Sequence, residues 1–291
     1  MNYVVFSEIL VDNYVDKLDK WALLYFNINK LCKLFRQFST LKNFVKCQQI
    51  CIIKLLNFLS LKGKKMKRTK LIDRRLPDYS RGEEIFNMVS HIVGGGLGVI
   101  IFALCVIKAF LNHDAYQIVG SFIYGASMVI LYTVSSVYHG LKSEMAKKVM
   151  QVIDHCSVFI LISGTYTPIA LVSLREHSAF LGWGVFGVVW AVSALGITLN
   201  AIDLKKYNLF SIICYLAQGW CIILTGKTAI EAIGINGFLW LLAGGISYTI
   251  GAALYSIAGK KTVRYMHSIF HIFVVIGSFL HFVAIIFYVL I

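Results

Sequence analysis

Residues 266–291 read MHSIFHIFVVIGSFLHFVAIIFYVLI, an apolar run in which the only acidic or basic side chains are His267, His271 and His281. A helix needs about 20 mostly apolar residues to cross the hydrocarbon core of a bilayer, so this run is long enough to span one. His267 and His271 stand at i and i+4 and therefore share one helix face, close enough to grip one metal ion. An ionisable group inside a span is costly and marks a candidate functional site. What joins the pair decides its meaning.

Outward from that run, the chain repeats the pattern. Six further stretches qualify as spans, approximately 88–111, 117–139, 154–173, 180–200, 209–226 and 236–258. A hydrophobic share of 58%, a charged share of 14% and two prolines in 291 residues place the chain with integral membrane proteins. Strand alternation is absent and the runs are too long for barrel strands, so the expected fold is all-α, a seven-transmembrane helix bundle.

The formal charge of +14 would point to nucleic acid if it covered a soluble surface. Residues 1–65, however, hold eleven Lys/Arg against four acids, and residues 66–82 six against two. The remaining 83–291 carry eleven against eight, which makes the seven-span domain nearly neutral. The basicity reads as topology and lipid contact, with no nucleic-acid partner. Lys142, Lys147 and Lys148 follow the second span, Lys205 and Lys206 the fourth, and Lys260, Lys261 and Arg264 the sixth. Alternate loops carry only Asp114, Arg175 with Glu176, and Lys227 with Glu231. The expectation is an N-terminus in the cytoplasm and a C-terminus outside, in a multi-pass protein of the cell membrane.

On that topology the polar residues gather at one level. His139 ends span two and Asp154 opens span three, joined by a basic loop over 140–153. His267 and His271 open span seven at the same cytoplasmic end. Ser135 lies one turn before His139 on its face. The first turns of span one carry Glu84, Asn87 and His91 at i, i+3 and i+7, again one face. His139, His267 and His271 thus read as metal ligands with Asp154 at their depth. Glu84, Asn87 and His91 read as residues that orient the ligand imidazoles from behind. Ser80 and Glu83 fit a capping box and are structural. His155 points about 100° away from Asp154 on a helix, and His281 lies about 15 Å beyond His271, so neither is a ligand. His113 and His177 fall in outer loops. Pro168 is expected to kink span three.

Three histidines with an open fourth position are the usual form of a catalytic zinc site, whereas structural sites close with cysteine. The seven cysteines form no CxxC pair and read as small apolar residues. Imidazole and carboxylate ligands suit zinc without excluding iron or manganese.

The stretch EEIFNMVSH at 83–91, Ser135-x3-His139 followed by Asp154, GTYTP at 164–168, and His267-x3-His271 followed by Gly277 and His281 resemble the hemolysin III family. That family belongs with the progestin and adipoQ receptors, including the adiponectin receptors. The resemblance covers about 78–291. It implies a zinc ion bound by His139, His267 and His271, with Asp154 near the metal and its water and Ser135 beside them. It also implies two readings of function. The adiponectin receptors are linked to ceramide hydrolysis, and the wider superfamily is regarded as membrane hydrolases; hemolysin III proteins took their name from lysis of red cells, with a proposed pore.

Chemistry favours hydrolysis. Zinc acidifies water and polarises an amide carbonyl; Asp154 would orient or deprotonate that water, and Ser135 could donate to the developing oxyanion. The substrate would be an acyl lipid lying among the helices, its amide or ester near the cytoplasmic headgroups. The alternatives are a pore-forming cytolysin and a metal-stabilised receptor or sensor without turnover. No span carries a polar stripe from end to end, as a pore lining would. No feature specifies an oligomeric state.

The first 65 residues stand apart. Residues 29–61 alternate basic and apolar groups and could form an amphipathic surface helix. The run Lys62-Gly63-Lys64-Lys65 before Met66 would be encoded by purine-rich sequence resembling a ribosome-binding site, and Met66 is read as the native start.

Overall fold

The computed structural model describes residues 69–258 and 263–291. The amphipathic reading of 29–61, the Met66 start and the basic pair Lys260 and Lys261 lie outside the described residues.

Among the described residues the fold is all-helical, without strands. Helix α1 runs Arg81–Leu111, α2 Ala115–Gly140, α3 Glu144–Pro168, α4 Ala179–Gly219, α5 Gly226–Ala258 and α6 Met266–Ala284. Five helical runs are long and apolar enough to cross a membrane. Their outer faces are apolar where a soluble protein would be polar; Val93 and Ile100 are each 57% exposed. The chain is a multi-pass membrane protein.

Local signals set the ends. Ser80 and Glu83 form the expected capping box at α1, and Asp114 accepts from Tyr116 N and Gln117 N to start α2. Glu83 does more, because its Oε1 also accepts from Tyr265 N at 2.7 Å. Tyr265, in the left-handed region at φ 61°, is the residue from which α6 starts. One carboxylate thus pins the beginning of α6 to the beginning of α1.

Helix α3 is the central element: every residue from Ser163 to Leu174 is buried. Buried hydroxyls and amides join it to α4, with Ser163 Oγ and Ser193 Oγ 2.6 Å apart and Gln218 Nε2 donating to Ser193 Oγ at 2.9 Å. Gly164 lets α2 approach, since a Cβ there would run into Ser127 Oγ. Pro168 ends the regular ladder of α3, and residues Ile169–Leu174 continue as a π-helical turn.

Two expected loops are corrected. The connection between α2 and α3 is residues 141–143, not 140–153, because α3 begins at Glu144. Lys147 and Lys148 interrupt the hydropathy but do not break the helix. Lys147 Nζ reaches Glu84 at 2.5 Å, and Lys148 Nζ reaches Glu144 at 2.7 Å and the Ile72 carbonyl at 2.8 Å. Asp154 therefore stands about 15 Å into α3 rather than at its start. The expected loop at Lys205 and Lys206 is likewise helical apart from Asp203, whose φ −157° and ψ 92° break α4. The Asp203 carboxylate caps the next helical turn by accepting from Lys206 N at 3.1 Å. A second break falls at Gly234 in α5, where φ is 69°.

Candidate metal centre

The anchoring of α6 to α1 brings His267 and His271 beside His139 of α2. One ring nitrogen from each of the three lies within 4.8 Å of the others, and all three residues are buried. This group can hold a metal ion. His267 Nε2 and His271 Nε2 are 3.0 Å apart, near the roughly 3.3 Å separation of two nitrogens bound tetrahedrally at zinc distances.

The arrangement around each ring sets which nitrogen faces inward. His139 Nδ1 donates to Glu84 Oε2 at 2.7 Å, while Lys147 Nζ donates to Glu84 Oε1 at 2.5 Å. A carboxylate held by a lysine is an acceptor only, so the proton sits on His139 Nδ1 and the lone pair on Nε2. His139 Nε2 is buried with no hydrogen-bond partner among the described residues. An imidazole nitrogen fixed as an acceptor, aimed at no donor and close to two other imidazoles fits a cation. His271 Nδ1 lies 3.5 Å from Ser90 Oγ, so its Nε2 is likewise the inward atom.

Span-one residues serve unequally. Glu84 orients His139 directly. Asn87 accepts from Ser268 Oγ at 2.6 Å, holding the residue between the two α6 histidines. His91 makes no hydrogen bond among the described residues; its ring stacks on His271 with centroids 3.7 Å apart and planes at 18°. Asp154 is outside the three-histidine group, with Ser135 among its polar neighbours. His155 is engaged elsewhere, with Nε2 3.1 Å from Tyr255 Oη and Nδ1 2.9 Å from the Gln151 carbonyl. His281 Nε2 donates to the Leu241 carbonyl at 3.1 Å.

Three participants carried no sequence signal strong enough to find them. Lys147 looked like a loop cation. Tyr255 lies against His267, ring centroids 5.7 Å apart. Tyr79 stacks on His267 with centroids 5.0 Å apart and planes at 19°. Burial raises the Tyr79 phenol pKa well above its ordinary value, and Tyr138, Tyr255, Glu84 and Asp154 add to the effect, so Tyr79 stays neutral.

An apolar cavity of about 160 Å³ opens from the centre. Asp154, His155 and His267 stand in its wall at one end, and it continues past Val158, Ile162, Leu216, Gly245, Phe270 and Val274 to His281. The fourteen helical steps from His267 to His281 correspond to roughly 21 Å. The cavity therefore runs deep into the bundle.

Known proteins place the chain. The profile of the Haemolysin-III related family matches residues 79–282. Hemolysin-3 of Bacillus cereus is 34% identical over 208 residues, 72% of this chain and 92% of that protein. The Hemolysin-3 homolog of Bacillus subtilis (strain 168) is 33% identical over 206 residues, 71% of this chain and 94% of that protein. The Monocyte to macrophage differentiation factor of Homo sapiens is 24% identical over 186 residues, 60% of this chain and 72% of that protein. No solved structure matches significantly. By family profile and by two bacterial relatives matched over nearly their whole length, the chain belongs to the hemolysin III family.

Proposed function

We propose that the protein is a zinc-dependent membrane hydrolase that cleaves an amide or ester bond of an acyl lipid. The observation that carries this reading is the position of the three-histidine group at one end of a deep apolar cavity whose wall includes Asp154 and His267. His139, His267 and His271 would hold zinc, which acidifies water and polarises a carbonyl when bound. Asp154, beside the group but not in it, accepts the proton of the attacking water at its carboxylate and returns it to the leaving group. Ser135, beside that carboxylate, is the hydroxyl available to the developing oxyanion. Glu84 keeps the proton on His139 Nδ1. The acyl chain lies along Val158, Ile162, Leu216 and Val274.

The same proposal includes seven spans with the N-terminus in the cytoplasm. The helical run Ala179–Ile257 has 79 residues, roughly 120 Å if straight against a hydrocarbon core of about 30 Å. The breaks at Asp203 and Gly234 support its division into three crossings. Lys205 and Lys206 beside the first break fit a cytoplasmic turn.

The test is metal content together with lipid products. Purified protein should hold about one zinc per chain and release fatty acid from an amide or ester lipid, and His271→Ala should abolish both. The names of the bacterial relatives favour a second reading, a pore-forming cytolysin. Lysis and ion conductance that persist in a folded His271→Ala chain, with no lipid product from wild type, would select it.

A further inference from the structure

Metal-binding histidines are normally held by a hydrogen bond at the nitrogen away from the ion. His139 has Glu84 there and His271 has Ser90. His267 has none among the described residues: its Nδ1 is buried without a partner there. Among the rings packed on His267 is Tyr79, stacked nearly parallel to it, whose ring centroid also stands 5.9 Å from that of His139.

Tyr79 belongs to a non-helical strap, residues 69–80, that is tied down along its length. Thr69 N donates to Asp203 Oδ2 at 2.8 Å at the break in α4. The Ile72 carbonyl accepts from Lys148 Nζ of α3 at 2.8 Å. Ser80 N donates to Glu83 Oε2 at 2.8 Å, and Glu83 in turn holds the start of α6. The strap thus connects α3, α4, α1 and α6 at the end of the bundle where the histidines sit. Tyr79 takes no part in the wall of the apolar cavity, although His267 and Asp154 do. The centre has the cavity on one side and the strap on another.

We propose that Tyr79 is a positioning residue that closes the cytoplasmic mouth of the metal centre. Its ring replaces the missing hydrogen bond in fixing the His267 imidazole, and it keeps water-borne ligands from the ion, so that the site is reached through the apolar cavity. The inference rests on the metal site and orientation proposed above.

The experiment uses the full chain in detergent, loaded with cobalt(II), and reads two signals: the visible absorption of the bound ion and its rate of loss to excess EDTA. Tyr79→Phe keeps the ring and should match wild type in both. Tyr79→Ala and Tyr79→Leu should shift the spectrum and release the ion at least about tenfold faster, the size of effect expected when a ligand loses its orienting partner. Lys148→Met, which frees the strap from α3 without touching the site, should change release in the same direction. If Tyr79→Ala does not fold, Tyr79→Leu and Lys148→Met decide. A wild-type chain that takes up no cobalt refutes the metal site itself. A wild-type chain that loads normally, with Tyr79→Leu showing the same spectrum and release rate, overturns the role of Tyr79 alone.

Discussion

Glu84 Oε2 accepts a hydrogen bond from His139 Nδ1 at 2.7 Å, joining the first turn of α1 to the last turn of α2 across 55 residues of chain. Removing that partner leaves the tautomer of His139 unset. Glu84→Ala should weaken metal binding by about 10- to 100-fold, measured by competition with a chelating dye. An affinity equal to wild type would mean that the carboxylate serves only Lys147.

Bound metal should also hold the bundle together, because its three ligands come from α2 and α6. A ligand present at about 100 times its Kd stabilises the folded state by about 2.7 kcal/mol. EDTA should therefore lower the thermal midpoint of the detergent-solubilised wild type and leave His139→Ala unchanged. Equal shifts in both would separate the effect of EDTA from this site.

The cavity can be blocked without touching the ligands. Gly245 lies in its wall and a Cβ there would find only Trp220, at 3.8 Å or more. Gly245→Phe should keep full metal content and lower fatty-acid release by about 10- to 100-fold, as a displaced substrate would. Unchanged release would remove the cavity from the reaction path.

A packing prediction tests the π-helical turn after Pro168. A Cβ on Gly182 would meet the Ala170 carbonyl oxygen and the Arg175 backbone at 2.6 Å, atoms that cannot rotate away, whereas Gly184 has nothing within 4 Å. Gly182→Ala should destabilise by about 1–3 kcal/mol, and Gly184→Ala should be within about 0.5 kcal/mol of wild type. Thermal midpoints of the pair measure the difference directly.

The three-histidine group was readable in the sequence where the signal was periodic. His267 and His271 share a helix face by spacing alone, and the apolar runs put His139 at their depth. Glu84 was legible because a carboxylate on the helical face of Asn87 and His91 needs a polar neighbour. Tyr79 was not, since an aromatic residue in an irregular basic segment has no period to say what it faces. The α2–α3 connection was misread for a related reason: Lys147 and Lys148 look like solvated loop cations in one dimension, and only the folded chain supplies Glu84 and the Ile72 carbonyl as their partners. Asp203 and Gly234 show the converse. Hydropathy located the runs on either side, but single residues in unusual backbone conformations make the breaks.

The proposed chemistry depends on metal binding by His139, His267 and His271. The most direct measurement is elemental analysis of metal per chain for wild type and His139→Ala, both purified without chelators. The wild type should hold about one zinc and the variant almost none. A monodisperse wild-type chain with no metal, or a variant that retains as much as wild type, would contradict it.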